Sequence, residues 1–206
     1  MPENHAPTQR RIDQPGLHSE LILGGQKSGK SRRAELLARD WLHLAPTHRA
    51  VMVATAQAWD DEMRVRIARH QADRAERVPG MRTVEEPLAL AQAILTHSDA
   101  NTLVVVDCLT LWLTNYLMPM QADESPAAPT SHSVDAAVLA LTQAIAQAPG
   151  PVVLVGNEIG LGVIPMGAEV RAFVDALGRL NQQVALHCQC VTLMVAGLPL
   201  NLKGAL

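Results

Sequence analysis

The sequence predicts an α/β fold, a mostly parallel sheet with helices on both faces. Three observations predict it. Short apolar runs without polar alternation, such as AVMVAT (50–55), TLVVV (102–106) and PVVLV (151–155), are the signature of strands covered on both sides. Segments with helical periodicity separate those runs, as a parallel sheet requires. Finally, Gly24-Gly25-Gln26-Lys27-Ser28-Gly29-Lys30-Ser31 fits G-x-x-x-x-G-K-[ST] at every fixed position, between a strand and a helix.

Each element can be justified in turn. Residues 1–18 are polar, hold three prolines and lack periodicity, so they are expected to be a disordered extension. Residues 19–206 are expected to form a single domain. Glu20 to Leu23 is a short strand that ends in Gly24-Gly25. The spacing of Ala34, Leu36, Leu37 and Trp41 predicts a helix from Lys30 to about Leu44. A buried strand follows at 50–55. Asp60 to Asp73 reads as a charged amphipathic helix carrying Met63, Ile67 and His70. Thr83 to Glu85 is a short strand. Pro87 is expected to open a helix to His97, because proline fits a first turn.

Thr102 to Val106 is the clearest buried strand, with Asp107 at its end. Leu109 to Met118 reads as a helix and 119–133 as a flexible loop rich in turn residues. Val134 to Gln147 is an apolar helix, and Pro151 to Val155 a buried strand. The loop 156–162 precedes a long helix from Glu169 to His187. Strands at 191–196 and 200–203 close the chain. In such a sheet the polar segments after the strands, 24–31, 56–62, 107 and 157–162, should line one crevice.

Composition excludes several classes. Aromatic residues make up 2%, too few for a base-stacking nucleic-acid platform. No uninterrupted apolar run of about 18 residues is present, which argues against a membrane span. Fourteen of the 17 Lys/Arg lie in residues 1–86, but 12 of the 20 Asp/Glu lie there too. This interleaving is no nucleic-acid footprint, yet it suits a local phosphate site. Three cysteines are too few for a disulfide scaffold. Cys188 and Cys190 beside His187 lack a second ligand pair at zinc spacing, so they read as small residues entering a buried strand. The N-terminus has no basic-then-apolar pattern, and a cytoplasmic protein is expected.

The loop at 24–31 carries the strongest chemistry. Its glycines allow backbone N–H groups to converge on phosphate oxygens, and the helix N-terminus favours the anion. Lys30 adds charge near the β- and γ-phosphates, and Ser31 offers a hydroxyl to Mg²⁺. Asp107, ending an apolar strand, is the matching carboxylate for the metal. His70 lies four residues from both Arg66 and Arg74, so a helix puts all three on one face. Two guanidiniums there would oppose protonation of the imidazole and grip phosphates, as a histidine nucleophile needs. From spacing alone, a surface histidine on a solvated helix is the simpler reading.

The chain resembles the bifunctional adenosylcobinamide kinase/adenosylcobinamide-phosphate guanylyltransferase family of cobalamin biosynthesis. The matching segments are GGQKSGKSRRAE (24–35), ATAQAWDDEMRVRIARH (54–70), RTVEE (82–86), VVDCLTLWLTN (105–115), NEIGLGVIP (157–165) and GRLNQ (178–182). The resemblance implies a RecA-like P-loop fold. It implies phosphorylation of adenosylcobinamide by ATP or GTP, then transfer of GMP from GTP through a histidine to the new phosphate. It puts the guanylylated position at His70. Some members carry two adjacent histidines where this chain has Arg69-His70. Nucleotide contacts are implied for Gly24, Gly25, Gln26, Lys27, Ser28, Gly29, Lys30 and Ser31, for Ala54, Thr55 and Ala56, for Gln71, Ala72, Asp73 and Arg74, and for Glu85 and Asp107. Glu158 is a candidate to orient the cobinamide hydroxyl. A homo-oligomer, a trimer, is also implied. Two other readings stay open on the residues alone: a simple P-loop kinase of a small metabolite, and a nucleotide-binding regulator without transferase activity.

Overall fold

The chain runs β1 (Ser19–Gly24), α1 (Lys30–Leu44), β2 (Arg49–Ala54), α2 (Asp61–Arg77), β3 (Arg82–Glu85), α3 (Leu90–His97), β4 (Thr102–Asp107), α4 (Leu109–Leu117), α5 (Ser131–Gln147), β5 (Val152–Val155), α6 (Ala168–His187), β6 (Cys190–Val195) and β7 (Leu198–Lys203). The computed structural model describes residues 19–58, 60–118, 131–163 and 165–204, with side chains at all of these except 66 and 131–133. Among them, seven strands form one sheet in the order β3-β2-β4-β5-β1-β6-β7. Every pairing is parallel except β6 with β7.

Side chains alternate across the central strands, which sorts the core into two layers. Leu21 and Leu23 face a layer with Val104, Val106, Leu113, Leu141, Leu154 and Leu180. Ile22 faces the opposite layer with Ala34, Leu37, Trp41, Met52, Val105 and Val78. Helices therefore cover both faces, as the unbroken apolar strands predict. The strand of the phosphate loop, β1, is separated from β4 and its Asp107 by β5. That interposed strand marks the RecA-like arrangement of P-loop domains.

Several boundaries differ from expectation. Helix α2 continues past Asp73 to Arg77, because Val78 reaches the core beside α1 and no breaker precedes Pro79. Pro87 does not open α3. The Glu86 carboxylate accepts from Leu88 N at 3.0 Å and Ala89 N at 2.8 Å, and the helix starts only at Leu90. Residues 131–133, expected in the loop, belong to α5. The expectations for 1–18 and 119–130 fall outside the described residues.

At β6–β7 the turn residues Ala196 and Gly197 both have positive φ, 52° and 81°. A two-residue hairpin turn of this kind matches the twist of its strands. The turn also reaches the site: Gly197 N donates to Ser28 O at 3.0 Å.

Candidate functional site

Gly24 sits at φ 153°, and a Cβ there would come within 2.6 Å of both Met194 O and Ser28 Oγ. Gly29 is left-handed at φ 101°. These two glycines let the chain leave β1, fold under itself and enter α1. Gly25, Gln26 and Lys27 are exposed, whereas Ser28 and Lys30 are buried. The Lys30 ammonium donates to Gly25 O at 2.6 Å, spanning the loop. Burial pushes its pKa below the usual lysine range, and nearby Asp107 opposes that shift. Ser28 Oγ is buried without a hydrogen-bond partner.

A buried ion pair holds this loop to the sheet. Glu20 on β1 accepts from Arg33 of α1, Nε at 3.0 Å and Nη2 at 2.8 Å, and from Thr192 Oγ1 at 2.7 Å. One carboxylate thus joins the strand before the loop, the helix after it and the neighbouring strand β6.

The Ala54-Thr55-Ala56 segment meets Asp107 edge to edge, since Ala54 pairs with Asp107 across β2 and β4. Thr55 Oγ1 donates to Cys108 O at 2.7 Å and accepts from Cys108 N at 2.8 Å. Asn115 Nδ2 donates to Thr55 O at 2.8 Å and Pro87 O at 3.1 Å. Asn115 escaped the sequence reading; its signal was a lone amide on the apolar helix α4. Cys108 is buried, which pushes its thiol up to about 12. Cys188 is likewise pushed up to about 12 by burial, and Cys190 opens β6.

Asp107 and Ser31 are each half-buried at this edge. One carboxylate and one hydroxyl suit Mg²⁺, which takes few protein ligands and completes its shell with phosphate and water. The donor set therefore fits the ion.

Helix α2 is capped by Asp60, whose side chain accepts from Met63 N at 2.7 Å. It is anchored at its C-terminal end, where Arg77 Nη1 donates to Glu35 Oε2 of α1 at 2.8 Å. Arg77 also pairs with Asp73 at 3.3 Å. His70 is exposed on this helix. Arg74, expected beside it as a second phosphate grip, is instead 7% exposed. Arg74 lies in the last turns of α2, which are held to α1 by the Arg77–Glu35 bond. Its guanidinium has no ion-pair partner among the described residues. Ala72 is exposed, and Gln71 Nε2 donates to Glu85 Oε1 at 3.1 Å. Gln71 and Glu85 are thus brought together, while Asp73 is engaged within its own helix.

After β5, Glu158 N donates to Gly24 O at 3.1 Å, which places the 157–162 loop against the phosphate loop as expected. Asn181 of α6 donates to Asn157 O at 3.0 Å and Glu158 Oε2 at 3.4 Å. A cavity of about 750 Å³ between α5 and α6, lined by Val138, Phe173, Ala176 and Leu180 among others, shares no residue with the phosphate loop. At the carboxyl edge of the sheet the buried Lys30 of the phosphate loop lies close enough to Asp107, at the end of β4, for their charges to interact.

Comparison with known proteins gives a consistent picture. Residues 20–202 match the family model described as cobinamide kinase / cobinamide phosphate guanyltransferase. The chain is 46% identical over 185 residues to the bifunctional adenosylcobalamin biosynthesis protein CobP of Pseudomonas aeruginosa, covering 90% of this chain and 97% of that one. It is 35% identical over 187 residues to the bifunctional adenosylcobalamin biosynthesis protein CobU of Escherichia coli, covering 89% and 98%. The Salmonella typhimurium protein of the same name is 34% identical over 187 residues, with the same coverage. Among the described residues, no helix is long and apolar enough to cross a membrane.

Proposed function

The chain belongs to the cobinamide kinase / cobinamide phosphate guanyltransferase family, and from that premise we propose that it carries out both reactions at the 24–31 loop. Adenosylcobinamide is phosphorylated by ATP or GTP, and GMP then passes from GTP through His70 to the new phosphate, giving adenosylcobinamide-GDP. The observation that carries this reading is a phosphate loop with buried Lys30, facing Asp107, in a chain that also presents an exposed histidine on α2.

In the guanylyl step an imidazole nitrogen of His70 attacks the α-phosphorus. A P–N bond forms, and the bond to the bridging oxygen breaks to release pyrophosphate. The backbone N–H groups of 24–29 and Lys30 hold the phosphates and offset their developing charge. Arg74 is assigned to the phosphates by the resemblance alone, and its burial beside exposed His70 requires the last turns of α2 to shift for it to reach them. Gln71, Ala72, Asp73, Glu85 and the Ala54–Ala56 segment are assigned to the rest of the nucleotide. Mg²⁺ held by Ser31 and Asp107 supplies charge neutralisation at the phosphates when bound.

A cytoplasmic homo-oligomer is part of the proposal, a trimer. Leu198, Leu200 and Leu202 stand at 63%, 55% and 55% exposure on β7, the edge strand among the described residues, and an apolar edge of this kind is usually covered. Light scattering of the full chain tests it, and a monomer at micromolar concentration rejects it.

The guanylyl intermediate is tested by incubating the protein with α-labelled GTP and precipitating it in acid and in alkali. Alkali-stable, acid-labile label that is lost in His70→Ala supports the phosphoramidate. Undiminished label in that variant removes His70 from the mechanism.

A further inference from the structure

We propose that Glu158 takes the proton from the substrate hydroxyl in the phosphorylation reaction, and that Asn181 is the positioning residue that aims it. This rests on the two-reaction reading above. The argument begins with strand order. β5 lies between β1, which leads into the phosphate loop, and β4, which ends at Asp107. Val155 at the end of β5 registers with Ile22 on one side and Asp107 on the other. The segment after it therefore emerges between the loop and the acid, where a γ-phosphate and an incoming hydroxyl meet.

Glu158 is fixed there by its backbone, through the bond from its N–H to Gly24 O. Its carboxylate is half-buried and held at both oxygens by neutral donors. Oε1 accepts from Gly160 N at 3.3 Å, and Oε2 accepts from Asn181 Nδ2 at 3.4 Å. No ion pair engages it among the described residues, so lone pairs remain for a hydroxyl proton. Asp107 is committed to the metal in the reading above, which leaves Glu158 as the carboxylate at this edge without a task.

Asn181 supplies the second, independent observation. It is 4% exposed, and its Oδ1 is buried with no hydrogen-bond partner. The amide gives its nitrogen to Asn157 O and Glu158, and its oxygen lies bare against Gly156, where a Cβ would come within 3.2 Å. A purely packing role at this helix position would be met by an apolar side chain without an orphaned acceptor. What the amide holds explains its presence. Thr110 Oγ1 completes the support by accepting from Asn157 N at 3.0 Å.

As the hydroxyl oxygen bonds to the γ-phosphorus, its proton passes to Glu158, and the bond to the bridging oxygen breaks to release the nucleoside diphosphate. The proton then leaves to water. The His70 reaction has no hydroxyl to deprotonate, so the two reactions differ in their need for this carboxylate.

The test uses the full chain with two readouts: phosphorylation of adenosylcobinamide from γ-labelled ATP, and protein labelling from α-labelled GTP. Glu158→Gln is expected to lower the phosphorylation kcat by roughly 10²–10⁴-fold and to leave protein labelling intact. Asn181→Ala is expected to lower the same kcat on the order of 10–100-fold, without a change in nucleotide KM. Glu158→Gln phosphorylating at the wild-type rate overturns the assignment. Equal loss of both reactions overturns it too, because the carboxylate would then serve the shared nucleotide site. A wild-type chain that labels His70 yet phosphorylates nothing overturns the two-reaction reading itself, and this assignment with it.

Discussion

Gln71 Nε2 donates to Glu85 Oε1 across 3.1 Å, tying the residue next to His70 to the end of β3. Both side chains are assigned to the nucleotide by resemblance, and the bond between them means they act as a unit. Gln71→Ala and Glu85→Ala should each slow formation of the labelled protein, and the double variant should be no slower than the worse single one. The pair is exposed, so the melting temperatures of all three should stay close to wild type. Additive losses in the labelling rate would show that the two residues contact nucleotide independently.

Burial of Lys30 opposes stability. Its pKa lies below the usual 10.5 because burial penalises the charge. Below that lowered pKa the penalty is present in full, and it is relieved as pH rises toward 10.5, where the unfolded chain also loses its proton. Lys30→Met should therefore bind no nucleotide yet melt at or above wild type at pH 7. Its advantage should shrink as pH climbs toward 10.5. Urea unfolding of both proteins at the two pH values measures this, and a less stable variant at pH 7 contradicts it.

In the Glu20–Arg33 pair the carboxylate is buried and the guanidinium mostly so, with side-chain exposures of 4% and 13%. Arg33→Ala leaves the Glu20 carboxylate without its cation, at a cost of roughly 3–5 kcal/mol. Replacement by methionine together with Glu20→Leu should cost far less, because no charge is then stranded. Denaturant midpoints of the single and double variants decide the matter.

Thr55 makes two bonds to the Cys108 backbone and is fully buried. Thr55→Val keeps the shape but orphans an N–H and a carbonyl, and should cost about 2–4 kcal/mol. It should also weaken nucleotide binding, because the same bonds hold the ends of β2 and β4 together. Calorimetry with GTP alongside urea unfolding separates the two effects. Unchanged affinity would confine Thr55 to a structural role.

Much of this was legible in the chain. The strands β2, β4 and β5 announce themselves because burial on both faces demands unbroken apolar runs. The phosphate loop does so because only glycine tolerates the backbone at Gly24 and Gly29. The end of α2 was not legible, since the core contact made by Val78 depends on where α1 lies. The start of α3 was missed for a related reason: Pro87 is compatible with a first turn, but the Glu86 carboxylate satisfies the backbone before the helix begins.

Sequence by itself predicted the sheet, the phosphate loop and the acid that ends β4, because each rests on local spacing and residue type, whereas His70 stood out only through the family resemblance. Tertiary structure alone decided which of those residues meet. It buried Arg74 while leaving His70 exposed, although both lie on one helix four residues apart. It set Gly197 under Ser28 and Asn181 against Glu158, pairs separated by 169 and 23 residues in the chain. Such contacts follow from strand order and helix packing, which bring distant segments together by burying apolar surface, and no local pattern records them.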